Sequence, residues 1–299
     1  MKNTLKTLLF LTVVFFIFGC SNTNTKEKKQ KEAVKQTEEP KQTDLLLGVQ
    51  AYTFHKFNFK EAIDKVNELG LNYIEAYYGQ PLGPELGDGK FSFHMDSATI
   101  SKIQNYAKSK NVKIYASGVI VLKEKKDWTD LFKFAKDMGI KVITCEPAYE
   151  QLKFVDSLAN VYDVDVAIHN HPKPSLYWNP DLFLEHVKGL SNHIGACVDI
   201  GHLKRMGVDP VEALKKYDGR LKSLHFKDIV KKEEGDTEQR DIIWGQGIID
   251  IPGVLKELKR QKFKGLLSIE YEWNWENSVP DIAESIQYFK KQLNEIYNQ

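Results

Sequence analysis

The sequence has no surplus of charge of either sign and very few cysteines. Its 42 lysine and arginine residues nearly balance 41 aspartate and glutamate residues, which gives a net charge of +1 over 299 residues. Proteins dedicated to nucleic acids normally carry a basic surplus, so we expect no nucleic-acid partner. Only Cys145 and Cys197 lie beyond the N-terminal twenty residues, so at most one disulfide bridge could form there.

The N-terminal apolar run is too short to span a membrane comfortably. It extends from Leu8 to Phe18, follows Lys2 and Lys6, and is followed by Gly19 and Cys20. This order is typical of a signal peptide, here residues 1–19, and the cysteine after it resembles the lipidation site of a bacterial lipoprotein. We therefore expect lipid on Cys20, anchoring to a membrane, and a periplasmic or outer-membrane location. An uncleaved anchor helix is the alternative.

Residues 20–44 lack the apolar content of a folded segment. From residue 21 onward they contain one valine, one alanine and no aromatic side chain. Such a segment cannot bury enough apolar surface to offset the entropy of ordering. We therefore predict a disordered tether over residues 20–44 and a folded domain over residues 45–299.

From residue 45 the chain alternates short apolar runs with charged amphipathic stretches. Eight such runs, each followed by a helical stretch, match the number and size of a (β/α)8 TIM barrel, an α/β fold. An open doubly wound sheet would more naturally have a glycine-rich turn after its first strand, and QAYTFHKFNF contains none. The predicted strands are LLLGVQAY, LNYIEAYY, VKIYAS, KVITCE, VDVAIHNH, IGACVDIGH, LKSLHF and GLLSIEYE.

Polar residues stand where five of these predicted strands end. The carboxyl ends of the strands form the face on which barrel enzymes carry their active sites. We therefore expect these five side chains to converge at one mouth of the barrel: Glu146, His169, Asp199, His225 and Glu270.

The alternation of side chains along a strand separates two sets of residues. Residues two positions apart share a face, and the residues two positions before the polar ones are small: Thr144, Ala167, Cys197, Ser223 and Ser268. The residues one position before them are apolar, apart from one cysteine: Cys145, Ile168, Val198, Leu224 and Ile269. We therefore place the small set inside the barrel and the other set under the helices. Since Cys145 and Cys197 then face opposite sides, we expect no disulfide between them.

Five such side chains at one barrel mouth indicate a divalent-metal site. Oxygen ligands together with one or two imidazoles suit Mn²⁺, Co²⁺, Mg²⁺ or Zn²⁺. Crowded carboxylates repel one another and are costly to bury, and a cation offsets that cost. The alternative is a structural polar cluster, because a single glutamate at a strand end is more often a cap or an ion-pair partner.

Four segments resemble the sugar phosphate isomerase/epimerase family, which are xylose isomerase-like barrels. They are VDIGH (198–202), LHFKD (224–228), WGQGIIDIP (244–252) and SIEYE (268–272). The resemblance extends over the whole predicted barrel. It implies a (β/α)8 fold, sugars or related polyols as substrates, and a divalent metal held by a glutamate, an aspartate, a histidine and a second glutamate.

The same resemblance implies roles for individual residues. Asp199, His225 and Glu270 correspond to the last three metal ligands. His202, three residues after the aspartate, resembles a residue that contacts substrate oxygens.

The first metal ligand has two candidates in the sequence. Many relatives carry Glu-Asn-His on strand 5, where this chain has His169, Asn170 and His171, while Glu146 ends strand 4. We favour Glu146, because isomerase chemistry of this type uses two opposed carboxylates.

The predicted function is that of a metal-dependent sugar isomerase or epimerase. A metal that polarises a carbonyl and the adjacent hydroxyl lowers the cost of an enediolate, and a carboxylate can remove the proton between them. The predicted catalytic residues are Glu146, Glu270 and His169. The predicted substrate contacts are His171, His202, Lys227 and Trp273.

The expected substrate is a non-phosphorylated small carbohydrate. The chain carries a predicted export signal, and no basic cluster for a phosphate stands out near the predicted mouth, apart from Lys173 and Lys227. Loss of a substituent in place of proton return would make the same site a lyase or hydratase of 3-keto-glycosides, which is the first alternative. A carbohydrate-binding barrel without catalytic activity is the second.

Overall fold

The computed structural model describes residues 45–236 and 239–297. The predicted signal peptide (1–19), the tether (20–44) and the lipidation site Cys20 lie outside the described residues. Within the described part of the chain, no helix combines the length and the hydrophobicity that a membrane span requires.

Eight parallel strands form a closed barrel in which each strand pairs with its neighbours in sequence, and β8 pairs with β1. This confirms the predicted single-domain TIM barrel. The strands are β1 (Leu46–Gln50), β2 (Tyr73–Tyr77), β3 (Lys113–Ile120), β4 (Val142–Cys145), β5 (Asp165–His169), β6 (Ile194–Asp199), β7 (Leu221–Phe226) and β8 (Leu266–Ile269).

Helices follow every strand, and two of them lie between β6 and β7. The first residues of several helices are capped by side chains, such as Asn58 before α1 and Asp250 before α8. The helices are α1 (Phe59–Glu68), α2 (Ser97–Ser109), α3 (Lys125–Met138), α4 (Leu152–Tyr162), α5 (Pro180–Val187), α6 (Ile200–Arg205), α7 (Pro210–Lys216), α8 (Ile251–Arg260) and α9 (Val279–Tyr297).

Strand β6 ends earlier than the predicted run IGACVDIGH. The side chain of Asp199 accepts a hydrogen bond from the His202 backbone N–H at 2.7 Å, so it caps a helix that begins at Ile200. The segment that carries His202 is therefore helical, and the side chain lies one turn beyond the strand. The predicted strand was wrong in its last three residues for this reason.

Two apolar clusters confirm the predicted alternation of side chains. A small cluster inside the barrel contains Ala116, Val142, Ala167, Cys197 and Leu266. The large cluster between the strands and the helices contains Cys145, Ile168, Val198, Leu224 and Ile269. Cys145 and Cys197 are buried free thiols on opposite faces of the sheet.

Candidate metal centre and catalytic site

The five polar residues singled out in the sequence all lie at the carboxyl ends of β4 to β8. His169 and Asp199 are the last residues of their strands, and Glu270 follows β8 directly. His169, Asp199, His225 and Glu270 are all buried, whereas Glu146 is partly exposed. The closed barrel thus brings residues that lie up to 124 positions apart in sequence, Glu146 and Glu270, to one mouth.

Four of these side chains form one compact group of potential metal ligands. His169, Asp199, His225 and Glu270 each offer one ligand atom, and these atoms lie within 4.8 Å of one another. The Nε2 of His169 is 3.6 Å from Asp199 Oδ2, and the Nδ1 of His225 is 2.9 Å from Glu270 Oε2.

One polar atom of this group, the buried Nε2 of His169, has no hydrogen-bond partner among the described residues and faces Asp199 Oδ2 at 3.6 Å. Asp199 Oδ2 and His225 Nδ1 instead contact charged neighbours, Lys227 Nζ at 3.1 Å and Glu270 Oε2 at 2.9 Å. Buried polar atoms in native proteins are normally paired, so His169 Nε2 requires a further partner. Two imidazole nitrogens with two carboxylates are a donor set that fits Zn²⁺, Mn²⁺ or Co²⁺.

His225 is supported from the other side by a carboxylate that sequence reasoning did not identify. Its Nε2 donates to Glu75 Oε2 at 3.1 Å, and Ser268 Oγ donates to the same oxygen at 2.6 Å. Burial acts to raise the pKa of Glu75, but His225 and these hydrogen bonds hold it below the ordinary value. An ionised Glu75 fixes the orientation of His225 in which Nδ1 points to Glu270 and the candidate metal group.

Asn170 holds the backbone of Asp199 in place. Its side chain accepts from the Asp199 N–H at 2.9 Å and donates to the Asp199 carbonyl at 3.1 Å. These bonds continue the pairing of β5 with β6 beyond the last strand residue, and so they fix the Asp199 carboxylate relative to His169.

Lys227 is a fully buried cation beside the candidate ligands. Its Nζ lies 3.1 Å from Asp199 Oδ2, 2.9 Å from Glu270 Oε2 and 2.5 Å from Glu272 Oε1. Burial acts to raise the pKa of Glu270, but His225 and Lys227 together hold it below the ordinary value. Burial also acts to raise the pKa of Asp199, but His202, Lys227 and His169 hold it well below the ordinary value. Both carboxylates of the group are therefore ionised at neutral pH.

Glu146 lies outside the four-residue group and faces two imidazoles. Its Oε1 is 3.3 Å from His169 Nδ1 and pairs closely with His171 Nδ1, and its Oε2 accepts from Ser175 Oγ at 2.8 Å. Burial acts to raise its pKa, but the two histidines hold it well below the ordinary value. Glu146 is therefore an ionised carboxylate that orients His169 and the half-exposed His171.

The family follows from a match over most of the barrel. The sequence pattern described as "Xylose isomerase-like TIM barrel" matches residues 63–292. The chain belongs to this family.

Individual relatives of this xylose isomerase-like barrel share about a third of their aligned residues with it. The chain is 32 % identical to the inosose dehydratase of Clostridium perfringens over 102 residues, which are 30 % of this chain and 33 % of that protein. The chain thus matches about a third of the length of its curated relatives. An uncharacterized protein from Parabacteroides distasonis, known from its crystal structure, is 35 % identical, with a TM-score of 0.69 and coverage of 83 % of this chain and 99 % of that chain.

A solved structure with the same fold contains a metal. The IOLI protein with a bound zinc atom has a TM-score of 0.65 to this chain and 17 % sequence identity, over 85 % of this chain and all of that chain. At this identity the similarity shows the shared fold.

The xylose isomerase-like barrel brings together the three ligands that the resemblance implied, Asp199, His225 and Glu270. His169 lies beside them, in the strand position where the resemblance implied a glutamate. Glu146, which the sequence favoured as the first ligand, lies outside this four-residue group. Its predicted role as a ligand and the predicted catalytic roles of Glu146, Glu270 and His169 stay predictions.

His202 adjoins the group from helix α6. Its Nε2 lies 3.6 Å from Asp199 Oδ2, and its Nδ1 lies 3.2 Å from Arg205 Nη1. A guanidinium can only donate, so Nδ1 accepts and the proton of the neutral ring is on Nε2. Burial is the main reason that the pKa of His202 lies well below the ordinary value. His169, His171 and His202 form a second group with potential ligand atoms within 4.8 Å of one another.

The predicted substrate contacts differ in their accessibility. His171 and Trp273 are exposed at the mouth, with 48 % and 41 % of their surface accessible, respectively. Lys227 lies below them, fully buried among carboxylates. The predicted contact of Lys227 with substrate stays a prediction.

A cavity of about 510 Å³ adjoins the metal group at the mouth. It contains more cationic side chains than the sequence suggested, because they come from separate segments: Arg205, Lys232 and Arg240. The predicted absence of a basic cluster near the mouth was therefore wrong. No local pattern in the sequence places these three residues together.

Proposed function

We propose that the protein is a divalent-metal-dependent enzyme that removes the proton next to a carbonyl group of a carbohydrate. The observation that carries this proposal is the convergence of four buried side chains, His169, Asp199, His225 and Glu270, whose potential ligand atoms lie within 4.8 Å of one another. His169, rather than Glu146, is the fourth ligand in this proposal. A bound divalent cation supplies polarisation of a carbonyl oxygen and of the neighbouring hydroxyl.

Glu270 is the proposed base. Its carboxylate is ionised and lies against the buried ammonium of Lys227, so it is held in one position. Removal of a proton from the carbon next to a carbonyl leaves negative charge on the carbonyl oxygen, and cationic groups nearby stabilise that charge.

His171 is the proposed acid. Glu146 fixes the orientation of the ring through Nδ1, which leaves Nε2 available at the exposed mouth. A carboxylate that holds one ring nitrogen in this way directs the other nitrogen for proton transfer. An elimination requires a base that removes the proton and an acid that protonates the leaving group. The carboxylate of Glu270 and the imidazole of His171 are proposed for these two roles.

We therefore favour elimination from a 3-keto-glycoside. The C3 carbonyl acidifies the proton at C2; the C2–H and C1–O bonds break, the C1–C2 double bond forms, and the leaving oxygen takes the proton from His171. No oxidant or reductant is consumed. The similarity to inosose dehydratase over part of the chain supports an elimination.

Isomerisation or epimerisation is the second candidate. It shares the first step, and the cluster of His169, His171 and Glu146 offers groups that could return a proton to carbon. Epimerisation requires a base on one face of the substrate and a proton donor on the other face. The similarity to inosose dehydratase over part of the chain is the reason for ranking elimination first.

Product analysis distinguishes the two candidates. The protein is loaded with Mn²⁺ and incubated with methyl 3-keto-β-glucoside, and the products are identified by NMR. We expect methanol together with an unsaturated or hydrated keto-sugar. An isomer that retains the methyl group would contradict elimination and support the second candidate. Asp199→Asn, which keeps the shape of a proposed ligand, serves as the inactive control.

We also propose that the protein is attached to the cell envelope through lipid on Cys20. The support is the sequence order of a positive segment, a short apolar run and a cysteine. Cells that express the wild type or Cys20→Ala are grown with an alkyne-labelled palmitate. We expect label in the wild type only, and label in both proteins or in neither would contradict the proposal.

A further inference from the structure

The cavity beside the metal group is formed by the segments that follow four neighbouring strands. Its lining residues come from the segments after β5, β6, β7 and β8. Among them are Pro172, which follows the proposed acid His171, and His202, which also faces Asp199 at 3.6 Å. The cavity therefore adjoins the position that the reacting part of a substrate would occupy.

Two indole rings line the cavity. Trp275 is packed against other aromatic rings, with His55 at 4.3 Å and Tyr52 at 5.8 Å between ring centroids. Trp273 is 41 % exposed. Exposed indole faces next to a polar site are the usual partners of sugar rings and aromatic rings.

Cationic side chains also line the cavity. Arg205, Lys232 and Arg240 face the cavity, against a single carboxylate, Glu272, which is already bound by Lys227. Arg205 is also engaged, because it donates to the Gln239 carbonyl and pairs with Asp241.

The other two cations remain available. The guanidinium of Arg240 lies over the ring of Trp273 at 5.0 Å. Neither Arg240 nor Lys232 has a carboxylate partner among the described residues. A cavity with two indoles and two uncompensated cations is complementary to a ring that carries negative charge.

We propose that this cavity is a subsite for the leaving part of the substrate, and that this part is a ring with an oxyanion substituent, a carboxylate or a phosphate. The inference rests on the proposed function for the identity of the reacting part. Trp273 and Trp275 contact the faces of the ring, while Lys232 and Arg240 contact its oxyanion. Arginine and lysine are the side chains that bind both kinds of oxyanion.

Binding of three free rings tests the subsite. D-glucuronate, D-glucose 6-phosphate and D-glucose are titrated into the full chain, and binding is followed by tryptophan fluorescence and checked by saturation-transfer NMR. We expect at least about tenfold tighter binding of one anionic ring than of glucose. Tighter binding of glucuronate identifies a carboxylate, and tighter binding of glucose 6-phosphate identifies a phosphate.

Two variants and one control locate the effect. The double variant Lys232→Gln/Arg240→Gln should reduce the anionic ring to the affinity of glucose, and Trp273→Ala should weaken all three rings. Lys231→Gln removes a neighbouring cation that does not line the cavity and should change nothing. Equal binding of the three rings by the wild type, or a preference that persists in the double variant, would overturn the subsite.

These measurements separate the subsite from the proposed function. Binding of a free ring requires neither the metal group nor turnover. If methanol is released from the keto-glycoside but the anionic rings show no preference, the subsite is overturned and the elimination stands. If the preference is found but no proton is removed from any keto-sugar, the subsite stands and the proposed function is overturned.

Discussion

His225 Nε2 lies 3.1 Å from Glu75 Oε2 inside the barrel, where both side chains are fully buried. This pair determines which nitrogen of the imidazole faces the candidate metal group. Because β2 and β7 are not neighbours in the barrel, the contact crosses its interior. Glu75 is therefore a positioning residue that acts on the metal through His225.

Glu75→Gln should weaken metal binding while the barrel stays folded. The amide cannot accept as strongly from His225 and Ser268, so the imidazole loses its fixed tautomer. Changes of this kind typically reduce metal affinity about 10–100-fold. Isothermal titration with Mn²⁺ measures the effect. Glu68→Gln, an exposed carboxylate on α1, is the control, and equal affinity in the two variants would contradict the role of Glu75.

His169→Ala should lose metal to the same extent as Asp199→Ala, while Glu146→Gln should keep it. The four-residue group includes His169 and excludes Glu146. Elemental analysis of the purified variants, followed by Mn²⁺ titration, measures both effects. Loss of metal in Glu146→Gln with retention in His169→Ala would restore the glutamate as the first ligand. Equal loss in both would indicate a site with five ligands.

His171→Gln should slow the release of poor leaving groups more than that of good ones. A general acid typically contributes about 10²–10⁴-fold to the rate when the leaving group needs a proton. Methanol needs one, whereas 4-nitrophenolate leaves without it. We therefore expect a large loss of kcat with methyl 3-keto-β-glucoside and a small loss with the 4-nitrophenyl analogue. Equal losses with the two substrates would contradict the acid role.

Asp241 should make the stability of the protein depend on pH. Burial raises the pKa of Asp241 to about 6 from 3.8, although Lys227 and Arg205 act in the opposite direction. The raised pKa contributes stability that is fully present below the unfolded pKa and is lost as pH rises through the folded pKa. The shift corresponds to about 3 kcal/mol over the range from about pH 4 to about pH 7.

Urea unfolding of the wild type and Asp241→Asn at both ends of this range measures the effect. The difference in free energy of unfolding, wild type minus variant, should fall as pH rises. Asp88→Asn, an exposed position, should show no such trend. A difference that rises with pH would mean that the ion pair with Arg205 outweighs burial.

The barrel and its polar mouth could be predicted from the sequence because both depend on local patterns. Strand parity alone placed Cys197 inside and Cys145 outside, and the strand-end positions alone brought His169, Asp199 and Glu270 together. The end of β6 was misplaced, because the pattern does not show that Asp199 would turn its side chain back to cap a helix. Such a cap depends on a side-chain rotamer rather than on hydrophobic alternation.

Contacts between segments that are distant in sequence could not be predicted from the sequence. Glu75 lies in the middle of the run LNYIEAYY, and the only signal was a carboxylate on the inward face of an otherwise apolar strand. Its partner His225 is 150 residues away. The three cations that line the mouth cavity likewise come from separate segments: Arg205 from α6, and Lys232 and Arg240 from a later loop. Only the closed barrel places them together.

Exchange of a carbon-bound proton with solvent tests the central claim most directly. The metal-loaded protein is incubated in D₂O with methyl 3-keto-β-glucoside, and the C2 signal is followed by NMR in the presence of Mn²⁺ and after removal of metal. The account predicts loss of the C2 proton with metal, and none without metal or in Glu270→Gln. Loss at the same rate without metal, or retention of the C2 proton by the loaded wild type, would contradict it.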